Sequence, residues 1–358
     1  MMILDDASVG PYERVVRAED PASGLRAVVA VHSTALGPAV GGTRFHPYPD
    51  EGTAVIDALR LAEGMTLKAA AAGLALGGGK AVIVGDPERL RSPALWHAYA
   101  EVVDLFGGSY YTAEDVGTTV ADMAALRGST PHVLGLPGDG GTWDGDPSPF
   151  TARGVRAAMR AVWEHETGAT SLEGARVVVQ GVGKVGGALA GLLVEEGARV
   201  WVSDVAVPRA VGLGARLGAG VLDPAAALSH PCDILAPCAM GGVLSHATAP
   251  GLRCRWVVGS ANNQLSCDAV AGELSGRGIG YVPDFVANAG GLICVADQLH
   301  GWDGARVDDA VEGIGDVVRE LVATAEVRGD TLLAAAHRRA DERLAGAAAL
   351  PAPVTAAR

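Results

Sequence analysis

Arg176-Val177-Val178-Val179-Gln180-Gly181-Val182-Gly183-Lys184-Val185-Gly186 is the stretch that decides the fold. The valine run follows a polar turn at 171–174 and reads as a short buried strand. It enters a G-x-G-x-x-G directly, and Val185, Leu189, Leu192 and Leu193 then repeat at helical spacing. After Gly197 a second apolar run, 200–203, ends at Asp204, 23 residues past Gly181. With 50 glycines the chain produces accidental matches, so the context carries the reading: strand before, helix after, acid at the right distance. Gly181 serves the tight turn, Gly183 admits a pyrophosphate, and Gly186 lets helix pack on strand. The pyrophosphate would sit on the helix N-terminus, at Lys184 and Val185, where backbone N–H groups and the helix dipole favour an anion. Asp204 accepts from a ribose 2′-hydroxyl and repels a 2′-phosphate, which predicts NAD rather than NADP. The plainer alternative is an ordinary strand–glycine–helix turn.

Outward from that module the chain alternates strands and helices. At 358 residues it is long for one core, so two domains are expected. Strands are predicted at 25–31, 81–84, 233–236, 256–259 and 280–282, and helices at 53–63, 94–105, 118–126 and 151–164. The segment 136–149, rich in Gly, Pro and Asp, reads as the domain boundary. The Ala/Pro-rich end from 345 onward is expected to fray. The fold class is therefore α/β, with an N-terminal α/β domain over 1–147 and a Rossmann-type domain over 148–329.

Hydrophobic residues make up 49% and charged residues 19%, a globular balance. The net charge is −13 with no basic cluster, which speaks against nucleic acid or an anionic membrane as partner. Met1-Met2-Ile3-Leu4-Asp5-Asp6 lacks the basic start of a signal peptide, and the apolar run 69–79 is too short for a bilayer. Five cysteines without C-x-x-C spacing read as reduced thiols of a cytoplasmic protein. Cys238, beside Ala239, could line a cofactor cleft or simply pack. Nine histidines show no paired ligand spacing, so no metal site is expected.

Lys68 and Lys80 stand twelve residues apart, separated by an apolar run and Gly77-Gly78-Gly79. A lysine in such surroundings loses hydration, which disfavours its charged form and suits it to act as a base near neutral pH. The glycines would let a ligand approach the backbone. The alternative is two helix-end lysines around a glycine turn, their ammoniums reaching water.

Five blocks in order carry a resemblance: Thr34-Ala-Leu-Gly-Pro-Ala-Val-Gly-Gly-Thr-Arg44, the two-lysine segment, Thr112-Ala-Glu-Asp-Val-Gly-Thr-Thr119, Gly259-Ser-Ala-Asn-Asn-Gln-Leu265 and Pro283-Asp-Phe-Val-Ala-Asn-Ala-Gly-Gly291. Over about 25–343 the chain resembles the glutamate/leucine/phenylalanine/valine family of amino-acid dehydrogenases, closest to the valine and leucine branch. The resemblance implies an NAD-dependent oxidoreductase that converts an L-amino acid to its 2-oxo acid and ammonia, reversibly. It implies a substrate and oligomerisation domain, an NAD-binding domain, a cleft between them, C-terminal helices at about 330–358 packing back on the first, and a homo-oligomer.

Residue by residue, Lys68 matches the lysine that binds the substrate carboxylate, Lys80 the catalytic lysine, and Asp115 the carboxylate that exchanges protons with the amine. Gly41 and Gly42 match a loop near the substrate. Asn262 matches an asparagine reaching substrate and nicotinamide ribose, and Thr151 a threonine on the carboxamide. Asp115 also reads as a plain helix N-terminal carboxylate, Asn262-Asn263 as turn residues, and Arg44 as a surface arginine. Ala69 stands where many relatives carry asparagine, and Asp146-Pro147-Ser148-Pro149 replaces a more regular segment. By resemblance Val40, Ala113, Leu292 and Val295 line the side-chain pocket. All are apolar, so a glutamate side chain would be buried unpaired and a branched aliphatic one is favoured. Phenylalanine is the alternative substrate, and a non-catalytic NAD-binding paralogue the alternative of another class.

Overall fold

Strand formation begins earlier than the sequence suggests. In the computed structural model, which describes residues 1–137 and 143–348, the chain opens with β1 (Met2–Val9) and β2 (Tyr12–Asp20) as an antiparallel pair. β1 escapes the sequence reading because every residue in it is exposed, so it has no buried face to impose a period of two. Pairing with β2 and the Arg14–Asp6 and Arg17–Asp5 bridges hold it. Then follow β3 (Leu25–Ser33), β4 (Ala39–Val40), β5 (Thr43–His46), α1 (Glu51–Ala71), β6 (Gly77–Val84), α2 (Pro87–Leu90), α3 (Pro93–Asp104), β7 (Tyr110–Tyr111) and α4 (Val120–Arg127). The sheet runs β1-β2-β3-β6-β4-β7, with β5 also on β6. β3 joins β6 antiparallel, while β4 and β5 lie parallel to it.

β6 is buried along its whole length, and its two faces go to different helices. Ala81 and Ile83 pack with Leu95, Tyr99 and Val102 of α3. Val82 and Val84 pack with Ala54, Ala58 and Ala62 of α1, which places Lys80 on the α1 face by alternation. Those alanines bring α1 so close that a Cβ on Gly78 would fall 2.1 Å from the Thr66 nitrogen.

Two sequence expectations change here. The glycine triplet is the first part of a central strand, where it clears the protein's own helix and strands rather than a ligand. α1 runs on past the expected end at 63 to Ala71. Gly64 costs about 1 kcal/mol relative to alanine, and the packing of Ala62, Thr66, Ala69 and Ala70 outweighs it.

The second unit starts with α5 (Ser148–Thr167) and continues through β8 (Arg176–Gln180), α6 (Lys184–Glu195), β9 (Arg199–Ser203), α7 (Val207–Leu217), β10 (Gly220–Val221), β11 (Ile234–Pro237), β12 (Trp256–Val257), α8 (Ala269–Gly276), β13 (Gly280–Tyr281), α9 (Asp284–Ala287), α10 (Gly290–Ala296), α11 (Gly304–Glu312), α12 (Ile314–Arg328) and α13 (Leu332–Ala348). Six parallel strands order as β10-β9-β8-β11-β12-β13. Strand order reverses between β8 and β11, the switch point at which such sheets bind ligands beyond their carboxyl ends.

The chain divides into one unit of Met1–Asp146, Gln298–His300 and the residues from Arg339 on, and another of Pro147–Asp297 and Gly301–Arg338. Arg339 Nε donates to the Ala71 carbonyl at 3.0 Å and Arg343 Nη2 to the Leu74 carbonyl at 3.2 Å, at the end of α1. The middle of the expected boundary, 138–142, lies outside the described residues. Of the end expected to fray from 345, residues 345–348 instead close α13, and the part from 349 on lies outside the described residues. Among the described residues no helix is long and apolar enough to cross a membrane.

Candidate active site

In the first unit Lys80 is 5% exposed on a central strand, and its Nζ lies 3.0 Å from Oδ2 of Asp115. Arg44 Nε reaches the same oxygen at 3.1 Å, while Arg44 Nη1 holds Asp57 Oδ2 at 2.8 Å. Tyr48 donates its hydroxyl to that Asp57 oxygen as well. Burial lowers the Lys80 pKa below the usual lysine range; the Asp115 charge works against this and the Arg44 charge adds to it. Burial alone would raise Asp115, but Lys80 and Arg44 outweigh it and hold its carboxyl below the usual range. The result is a desolvated lysine and an ionised aspartate in direct contact, the pairing from which acid and base roles separate.

Local structure explains why Asp115 sits there. The Thr43 and Phe45 N–H groups donate to the Ala113 and Val116 carbonyls at 2.8 Å each, laying residues 113–116 along β5. The Asp115 N–H donates to Thr118 Oγ1 at 2.9 Å, and that hydroxyl donates to the Thr43 carbonyl at 3.0 Å. The helix that follows, expected from 118, begins at Val120 with Thr119 and Asp122 forming a reciprocal cap. Asp122 therefore occupies the helix-end role that was the plain alternative for Asp115.

Gly41 and Gly42 connect β4 to β5. The Gly41 N–H donates to the Tyr111 carbonyl at 3.1 Å, and its carbonyl accepts from the Tyr110 hydroxyl at 2.6 Å. Val40 is buried and Ala113 half-buried. Lys68 lies half-buried in the last turn of α1. Thr66 meets Gly78, and each lysine follows two residues beyond that contact. The two lysines thus arise from a helix end and a mid-strand position.

The second unit carries the glycine module. Gly181 has φ +95°, and a Cβ there would fall 2.7 Å from the Ala239 nitrogen. Gly183 precedes α6 with open space about it, while a Cβ on Gly186 would meet the Gly181 carbonyl oxygen at 2.0 Å. Lys184 and Val185 form the first turn of α6. A cavity of about 230 Å³ is lined by Gly181, Gly183, Asp204, Cys238, Ala239 and Met240, among others. Burial pushes the Cys238 thiol up. Gln180 Oε1 and Ser203 Oγ, from two further residues lining this cavity, are buried without a hydrogen-bond partner among the described residues. The sequence reading missed both, although each is a polar residue closing an apolar strand at the carboxyl edge of the sheet.

Asp204 accepts from the Val182 N–H at 2.9 Å and the Ala206 N–H at 2.8 Å, with Arg209 Nη1 at 3.4 Å. Burial works against its charge, but these N–H groups and Arg209 prevail and its pKa is lowered. A carboxyl whose folded pKa lies below its unfolded one adds stability that is full above the ordinary aspartate value of 3.8 and is lost as pH falls through the folded value. Asp204→Asn is expected to flatten the acid limb of a denaturation-midpoint profile recorded below about pH 4. An acid limb identical to that of the parent would refute this.

Asn262 is exposed, and its Oδ1 accepts from Nδ2 of the buried Asn288 at 2.8 Å. Asn263, at φ +52°, is the residue that takes the left-handed turn. Thr151 lies in the first turn of α5 and donates to the Pro147 carbonyl at 3.2 Å. Leu292 and Val295 lie on α10 in the second unit, whereas Val40 and Ala113 belong to the first. Arg44, Asp57 and Tyr48 were not assigned a role from sequence. Their signal is an arginine directly after Gly-Gly-Thr on a strand whose other face is buried. Among the described residues no group of three His, Cys, Asp or Glu side chains is placed to hold a metal.

Comparison with known proteins gives two family matches. Residues 12–132 match the Glu/Leu/Phe/Val dehydrogenase dimerisation domain, and 140–207 and 215–350 match Glutamate/Leucine/Phenylalanine/Valine dehydrogenase. The leucine dehydrogenase of Geobacillus stearothermophilus is 45% identical over 336 residues, 93% of this chain and 90% of that one. The valine dehydrogenase of Streptomyces coelicolor is 47% identical over 346 residues, 96% of this chain and 94% of that one. The crystal structure of L-tryptophan dehydrogenase from Nostoc punctiforme superposes with a TM-score of 0.85 at 36% identity, covering 94% of this chain and 97% of that one.

Proposed function

Since the chain belongs to the glutamate/leucine/phenylalanine/valine dehydrogenase family, we propose that it deaminates an aliphatic branched-chain L-amino acid oxidatively and reversibly, with NAD⁺ and water, to the 2-oxo acid and ammonia. The observation that carries the reading is the buried Lys80 ammonium held on Asp115 Oδ2.

In this reading Lys68 pairs with the substrate carboxylate as a point charge. Asp115 takes a proton from the substrate ammonium, and with both cations on Oδ2 its other oxygen serves as the acceptor. A dinucleotide held by the glycine loop would supply the acceptor for the hydride on the substrate Cα. Lys80, its pKa lowered by burial, takes a proton from water as that water attacks the imine carbon, and then stabilises the carbinolamine oxygen. Asp115 returns a proton to the departing amine.

The 181–186 loop with Lys184 and Val185 would hold the pyrophosphate, and Asp204 the adenosine ribose. Cys238 and Ala239 would line the cofactor's path, with Thr151 on the carboxamide and Asn262 on the nicotinamide ribose and substrate. Open space at Gly183 and the unpartnered Gln180 and Ser203 oxygens in the cavity support a polar ligand there. Val40, Ala113, Leu292 and Val295 would offer no charge to a substrate side chain. A homo-oligomer is supported by the dimerisation-domain match and by an exposed β1 edge bearing Met2, Ile3 and Leu4.

NADH formation with L-valine, L-leucine, L-isoleucine, L-phenylalanine and L-glutamate, each with NAD⁺ and NADP⁺, tests the reading. Turnover is expected with the aliphatic acids and NAD⁺. Preference for phenylalanine would overturn the pocket assignment alone. Silence on every substrate from protein that still binds NADH would overturn the catalytic one.

A further inference from the structure

Outside this site the second unit carries a thiol, an imidazole and a carboxylate in line. Cys267 Sγ lies 3.5 Å from His246 Nε2, and Nδ1 of the same ring lies 2.5 Å from Glu273 Oε1. The backbone builds the arrangement. Leu244 pairs with Leu265, the Leu244 N–H donating to the Gln264 carbonyl at 3.0 Å and the Ser266 N–H to the Leu244 carbonyl at 2.8 Å. His246 and Cys267 each follow two residues beyond that pairing. Glu273 projects from α8, whose first turn begins just after Cys267.

Of the five free cysteines only Cys267 is exposed. With Glu273 accepting from Nδ1–H, the tautomer leaves the Nε2 lone pair toward the thiol. Of the titratable groups, the His246 ring lies beside the sulfur, Glu273 on the far side of that ring, and Asp268 next to Cys267 in sequence. The ring directs its two nitrogens at different partners, so the three side chains do not converge on one point as metal ligands would.

The geometry points to Cys267 as a site of reversible thiol–disulfide modification, with a low-molecular-weight disulfide as co-reactant. His246 Nε2 takes the thiol proton, and the thiolate attacks one sulfur of the disulfide. A Cys267–sulfur bond forms as the disulfide bond breaks. The departing thiolate leaves as a thiol after taking the proton from the imidazolium. Cys267 is oxidised and the departing half of the disulfide reduced.

The test is the rate at which the full-length protein acquires the uncharged bis(2-hydroxyethyl) disulfide at pH 6, followed by mass analysis of the peptide containing residue 267. At that pH few thiols carry their own negative charge, so a ring nitrogen 3.5 Å from the sulfur that removes the proton as attack proceeds should give a net gain of about fivefold. Parent protein should react about fivefold faster than His246→Gln, with Glu273→Gln in between and Cys267→Ser unlabelled. Dehydrogenase activity in each variant reports that the fold is kept. Equal rates in parent and both His246→Gln and Glu273→Gln would overturn the proposal, as would a label on Cys238 instead.

Discussion

Replacing Lys80 by alanine lowers kcat for oxidative deamination by about 10²–10⁴-fold, the span that a positioned general base contributes, and leaves NADH binding unchanged. The two halves of this expectation come from different units. Lys80 sits on β6 of the first unit, while the glycine loop and Asp204 belong to the second. The fold is expected to survive, because Asp115 keeps Arg44 as a partner at 3.1 Å and is not left as an uncompensated buried charge. Steady-state rates beside a fluorescence titration with NADH measure both quantities. A variant within tenfold of the parent would remove Lys80 from the role of base. The parent profile carries a second check. Because burial lowers its pKa, Lys80 becomes neutral at a lower pH than an ordinary lysine, so kcat/KM should rise with pH through an apparent value below that range and this limb should vanish in the variant.

Gly41→Ala is expected to cost about 3 kcal/mol or more, at the severe end of single substitutions. Its Cβ would lie 1.7 Å from the Gly79 carbonyl oxygen and 2.6 Å from the carbonyl carbon. No flexible side chain is available to yield, only the central strand that carries Lys80. Gly79 in turn lies against the Tyr110 ring, whose hydroxyl bonds Gly41. A thermal melt should show the loss, with activity falling alongside it as β6 moves. Gly183→Ala is the control: it has nothing within 4 Å and a φ of −68°, so stability should change by less than about 0.5 kcal/mol. Equal midpoints for the two variants would contradict the close-packing account of Gly41.

That contrast also shows which parts of the molecule the sequence makes legible. The module from Arg176 to Asp204 is local: strand, turn, helix and acid follow one another, and propensity, period and spacing agree. The parallel sheet around it follows. Glycines in the first unit carry the opposite meaning. Gly77, Gly78 and Gly79 resemble a ligand-clearing loop, yet what approaches them is Ser33, Thr66 and Tyr110, all brought there by tertiary packing. The cluster of Lys80, Asp115, Arg44, Asp57 and Tyr48 was partly visible. Its lysine and aspartate stand out by chemistry, but the link through Arg44 depends on β5 lying beside β6 and on residues 113–116 following β5, neither of which leaves a local signature. β1 went unseen because it has no buried face.

The arginines at the end of α1 bear on the order in which the chain can be completed during synthesis. Arg339 and Arg343 satisfy carbonyls at Ala71 and Leu74, just past the turn that holds Lys68. Some 270 residues separate these partners. The second unit is encoded between them, so it emerges from the ribosome and can close its sheet while the helix bearing Lys68 still exposes an unfinished end. A helix made before the whole second unit is thus completed after it, and a chain cut short before Arg339 would lack these two bonds while retaining every strand of the second unit.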